Sequence, residues 1–146
     1  ANLSTTLDLT SLYSIYVKKA LRAGAIINKE CVVIRDEITL SGNSATVRWT
    51  MVTPAEVKLV DDQTAELFQL GKKMVMKVLE PAGVKITTWS AIPTQDFDEP
   101  NPGVTRVGFE VQLPANQLSK LTVVMAPGSY NFNDLKLDLP PLDKLK

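Results

Sequence analysis

The chain has 146 residues, 45% apolar and 22% charged, and its 16 basic side chains balance 16 acidic ones. That is one domain's worth, able to bury roughly 68–70% of its unfolded surface, and the zero net charge argues against a general grip on nucleic acid or another anionic polymer, leaving only a local patch open. A single cysteine, Cys31, excludes an internal disulfide, and the absence of histidine removes the commonest general base, the commonest zinc ligand and every Ser-His or Cys-His pair.

No run approaches the roughly 20 apolar residues of a membrane span. The opening ANLSTTLDLT lacks the basic start and apolar centre of a signal peptide and does not begin with Met, so the chain reads as a processed or excised product. Ser4 to Thr10 alternates, with Leu7 and Leu9 opposite Thr6 and Asp8. From Leu12 to Ala25 both periods are present: Tyr13, Tyr16, Val17, Ala20 and Leu21 have helical spacing, while Ile15, Val17, Lys19 and Leu21 alternate. The β-branched and aromatic content favours a strand.

Cys31 to Thr53 reads as two alternating runs around Ser41-Gly42-Asn43-Ser44, which predicts a hairpin with one buried and one wetter face. Val32, Ile34, Ile38 and Leu40 form the buried stripe of the first run, opposite Val33, Arg35, Glu37 and Thr39. Val47, Trp49 and Met51 form that of the second, with Trp49 in the core. Asp36 interrupts the first stripe and needs a hydrogen bond or an edge position.

Glu56 to Val60 and Thr64 to Leu70 are short strands. Lys73 to Leu79 is apolar on both faces, as a central strand is, and ends at Glu80-Pro81. Val84 to Ile92 is followed by the irregular Pro93–Gly103 stretch, whose prolines forbid a central strand. Val104 to Leu113 and Leu118 to Ala126 alternate cleanly. Residues 129–146 are polar with spaced leucines and read as an edge strand plus a loosely docked tail. The sum is an all-β chain, an antiparallel two-sheet β-sandwich of about 9–11 strands occupying residues 1–146 as a single domain.

Three groups of residues hold chemistry worth weighing. Asp96, Asp98 and Glu99 offer hard oxygens to calcium but lack the spacing of a dedicated loop, so a solvated acidic loop is the simpler reading and no cofactor is expected. Asp36 and Glu37 point to opposite faces of one strand, poor geometry for an acid–base pair. Tyr13, Tyr16 and Trp89 have the flat apolar faces of a glycan-stacking platform or of an interdomain contact. No catalytic residue and no metal ligand is assigned.

In order and spacing, Leu7-Asp8-Leu9-Thr10 with Tyr13, Arg22, Val32 to Ile38, Val47 to Thr53, Ala65-Glu66-Leu67 with Gly71-Lys72, Val75 to Pro81 and Val123 to Gly128 resemble the C-terminal β-sandwich of the heparinase II/III-like polysaccharide lyases. The resemblance implies a parent with an N-terminal (α/α) toroid that cleaves uronic-acid-containing polysaccharides by β-elimination. It also implies a periplasmic or secreted location. The family's acid–base Tyr and His and its structural zinc cannot be carried onto this chain. The expected role is therefore an accessory domain that contacts the toroid and, through the parent, an acidic polysaccharide. The alternative is a stand-alone carbohydrate-binding module, and an enzyme using carboxylates alone is a third option. No lyase activity is expected of the chain by itself.

Overall fold

The structure, a computed structural model, describes residues 3–95, 97–137 and 140–144. Ten strands carry the fold: β1 Leu3–Asp8, β2 Val17–Ile27, β3 Cys31–Leu40, β4 Ala45–Thr53, β5 Glu56–Asp61, β6 Thr64–Gln69, β7 Lys72–Glu80, β8 Thr87–Ser90, β9 Thr105–Leu113 and β10 Leu118–Pro127. They form a seven-stranded sheet, ordered β1-β2-β3-β10-β7-β6-β5, and a three-stranded sheet, ordered β4-β9-β8. Every strand pairing is antiparallel. The expected all-β two-sheet sandwich is what the chain adopts, and β7, whose two-faced apolar pattern predicted a central strand, lies inside the large sheet between β10 and β6.

The main core lies between the sheets. Leu40, Ala65, Leu67, Met76, Val78, Leu121 and Val123 of the large sheet meet Trp49, Val107, Phe109 and Leu113 of the small one. Trp49 is 3% exposed and lies parallel to the Phe109 ring at 5.9 Å. β9 approaches β4 so closely at Gly108 that a methyl there would overlap the Trp49 carbonyl oxygen.

The two runs on either side of Ser41–Ser44 do not form a hairpin. β3 pairs with β2 and β10, whereas β4 pairs with β9 in the other sheet. Their apolar stripes face each other across the core instead of lying side by side, and Gly42, at φ 70°, helps turn the chain between the layers. Alternation specifies the buried face of each run but not its hydrogen-bonded neighbour.

The wetter face expected of the first run is also buried: Val33 is 1%, Arg35 9% and Glu37 6% exposed. What covers it is the C-terminal segment, which contains no strand among its described residues. Tyr130, Phe132, Leu135 and Leu137 pack against Ala25, Ile27, Cys31, Val33, Val124 and Ala126, and Leu142, 1% exposed, clusters with Leu21 and Ala23. The spaced leucines of the tail are thus an apolar stripe closing the outer face of the large sheet. Polar groups caught beneath are matched except Glu37 Oε1, which has no hydrogen-bond partner among the described residues: Arg35 Nη2 lies 3.0 Å from Glu80 Oε2, Arg35 Nε donates to Thr122 Oγ1 at 3.0 Å, and the Leu142 N–H donates to Glu37 Oε2 at 3.2 Å.

The ambiguous Leu12–Ala25 segment divides. Thr10–Tyr13 is a 3-10 turn, and the strand begins only at Val17. Asp8 accepts from the Thr10 N–H at 2.9 Å, Thr10 Oγ1 accepts from the Ala20 N–H at 3.1 Å, and the Tyr16 N–H donates to the Tyr13 carbonyl at 2.8 Å. These bonds satisfy backbone groups locally and hold the segment out of the ladder.

Candidate functional site: a cleft at the open end of the sandwich

The small sheet is too narrow to cover the large one. At its β4 edge a cleft of about 500 Å³ opens between the layers, lined by Tyr13, Tyr16, Arg22, Asp36, Val47 and Trp49 among others. β2 and β3 supply the floor, because Arg22 and Asp36 are cross-strand partners in register. Tyr13 and Tyr16 stand at the cleft on the turn before β2, 51% and 65% exposed. The Ser41 N–H, donating to the Tyr16 carbonyl at 3.0 Å, ties that turn to the β3–β4 crossing.

Asp36 has the hydrogen bond its position demanded, although β3 is not an edge strand. Arg22 Nε and Nη2 reach its two carboxylate oxygens at 2.6 and 2.9 Å. This two-pronged bond raises the Arg22 pKa above its ordinary value against the opposing effect of burial. The guanidinium also stands 6.0 Å from the centre of the Trp49 ring. Donors dominate here, since both Asp36 oxygens are engaged while the buried Trp49 Nε1 has no hydrogen-bond partner among the described residues. A Trp N–H in a core usually finds one.

The structure brings two of the three sequence-nominated aromatics together and separates the third. Trp89 lies half-buried on β8, outside the cleft, with the Arg48 guanidinium 4.8 Å above its ring and Arg48 bonded to Glu110. Arg22 joins Tyr13 and Tyr16, a juxtaposition of Tyr and Arg that sequence spacing does not supply. The register partner Asp36 was the signal that could have found it. Asp96 lies outside the described residues, and Asp98 and Glu99 are exposed on their loop. Among the described residues no three His, Cys, Asp or Glu side chains come together as a metal cluster.

The chain is an antiparallel two-sheet sandwich with an open cleft at one end, and solved structures place that sandwich within much larger proteins. It is similar to the heparinase III BT4657 gene product at 19% identity and a TM-score of 0.63, over 85% of this chain and 19% of that one. A second heparinase III structure matches at 15% identity and a TM-score of 0.67, over 91% and 20%. The heparan sulfate lyase HepC from Pedobacter heparinus matches at 13% identity and a TM-score of 0.54, over 75% and 17%. No family model and no curated protein matches the chain. The resemblance read from the sequence holds at the level of the fold: this chain has the fold of a domain that makes up about a fifth of those lyases.

Proposed function

We propose that this chain is an accessory β-sandwich of a heparinase II/III-like polysaccharide lyase, packing against the catalytic toroid and helping to wall its substrate cleft. The observation that carries this reading is the fold likeness to a fifth of heparinase III and heparan sulfate lyase chains. The parent would cleave acidic, uronate-containing glycans by β-elimination, outside the cytoplasm.

Elimination at a uronate needs a base for the C5 proton, an acid for the leaving oxygen and a group that neutralises the carboxylate. Arg22 beside Tyr13 and Tyr16 offers the last and a proton donor, but Arg22 is already bound to Asp36. The sequence contains no histidine to serve as base. The purified chain incubated with heparan sulfate, chondroitin, hyaluronate or alginate should release no ultraviolet-absorbing unsaturated uronate. Product that disappears in Tyr13→Phe or Tyr16→Phe would overturn the accessory reading.

A carbohydrate-binding module is the second reading, favoured by the exposure of Tyr13 and Tyr16 at one cleft. Calorimetric titration with the same glycans separates the two. Saturable binding abolished by Tyr13→Ala or Tyr16→Ala supports the module.

A further inference from the structure

The large sheet continues past the cleft as a ledge with nothing above it. On the inner face of β1, β2 and β3, Leu3, Ile26 and Val32 form one cross-strand row and Thr5, Gly24 and Ile34 the next. Leu7 flanks them beside Arg22. Leu3 is 73%, Leu7 53%, Ile26 41% and Val32 38% exposed. The outer faces of β2 and β3 are, by contrast, closed by the chain's own C-terminal segment.

Gly24 is the telling residue. Glycine within a strand is destabilising relative to alanine, and at two other glycines the structure supplies a reason for it. Gly42 has a positive φ, and Gly108 lies against the β4 backbone. Gly24 has neither: its φ is not in the left-handed region, and a Cβ built on it meets no atom within 4 Å. Its flanking neighbours Ala23 and Ala25 are buried on the opposite face, so by strand alternation the missing side chain faces the ledge. A glycine in a strand with no internal need marks a place where another backbone or a ligand comes close.

We propose that this ledge is a docking surface for a polypeptide segment that packs its backbone over Gly24, contributed by the lyase body outside the fifth that this sandwich represents. The inference rests on the accessory-domain reading. The surface chemistry selects polypeptide over glycan. Apart from Thr5 the bare side chains are aliphatic, the ledge rows carry no aromatic face, and the nearest strong donor, Arg22, is held by Asp36. The occupant is accordingly an apolar segment with small residues at its point of closest approach.

The test co-expresses the tagged chain with the BT4657 heparinase III polypeptide lacking its own matching sandwich, and measures the dissociation constant of the complex. Gly24→Val should fold at least as well as the parent chain, because its Cβ has open space and β-branched residues suit strands. It should nevertheless weaken association at least tenfold. Leu7→Glu, at an exposed position, should do the same, while Val52→Glu on the outer face of the small sheet should not. Association untouched by Gly24→Val and Leu7→Glu but lost in Val52→Glu would overturn the ledge and leave the accessory reading standing. No complex with the unmodified chain would remove both. Concentration-dependent dimerisation abolished by Gly24→Val would give the surface to a second copy, and heparan sulfate shifting the Gly24 and Ile26 amide resonances would give it to a glycan. Either result would overturn the proposal.

Discussion

The two faces of β2 and β3 share one pair of strands and have opposite fates. On the outer face Leu21, Ala23, Ala25 and Val33 are sealed beneath the C-terminal segment, and the charges trapped there, Arg35 and Glu37, have protein partners. On the inner face Leu40 is buried in the core, but Ile26 and Val32, with Leu3 and Leu7 of neighbouring β1, stay open, because the small sheet ends at β4. Both faces of this strand pair carry apolar residues, and it takes a third layer or a partner to close each. A sandwich with sheets of unequal width leaves apolar surface at its wider end unless some other chain segment covers it.

The comparison can be broken most forcefully at the covered middle. Trp49→Ala removes a buried ring stacked on Phe109 and should cost about 3–5 kcal/mol. An unchanged denaturation midpoint would mean that β4 does not close the core. Leu142→Ala tests the outer seal. It should cost about 2–3 kcal/mol, at the lower end for a buried leucine because the segment is terminal. It should also raise hydrogen exchange at Leu21 and Ala23 before it affects Val123. Equal exchange throughout would show that the segment is not a separate layer.

Two glycines give the comparison its sharpest contrast. Gly108→Ala places a methyl against the Trp49 carbonyl and should destabilise by about 1–3 kcal/mol. Gly24→Ala, facing open space, should stabilise by about 0.4–1 kcal/mol. Urea midpoints moving in the same direction would remove the distinction between a glycine required by a close backbone and one facing open space.

The smallest effect is electrostatic and sits at two surface hydrogen bonds. The Thr10 side-chain bond, aided by the Thr10 N–H, holds Asp8 below its usual 3.8, and the bond from Lys73 holds Glu66 below 4.5. Carboxylates depressed in the folded state add stability that is complete above their ordinary pKa and is lost as pH falls through the folded value. Asp8→Asn and Glu66→Gln should therefore lower the midpoint slightly at neutral pH. That difference should vanish on acidification well below about pH 4. A gap that persists in acid would show that these bonds do not depend on charge.

Most of the strands were legible in the sequence because period-two alternation and turn residues are local properties. Ala65, Leu67, Val107, Phe109, Leu121 and Val123 are buried where their alternation put them. The resemblance to a lyase sandwich was legible in the order of short motifs. Pairing was not. The Ser41–Ser44 connection permits either a hairpin or a crossing between layers, and only the distant strands β9 and β10 decide between them. For the same reason the cleft was half visible: Tyr13 and Tyr16 were nominated, while Arg22 and Asp36 meet only through the β2–β3 register, and Trp89 is carried away to β8. The sequence by itself determined most of the strands and one apolar face of each, because those depend on backbone geometry within a few residues. Tertiary structure alone decided which apolar face is covered by the small sheet, which by the chain's own C-terminal segment, and which is left bare over Gly24. Those outcomes depend on contacts between segments as much as 105 residues apart, as for Glu37 with Leu142.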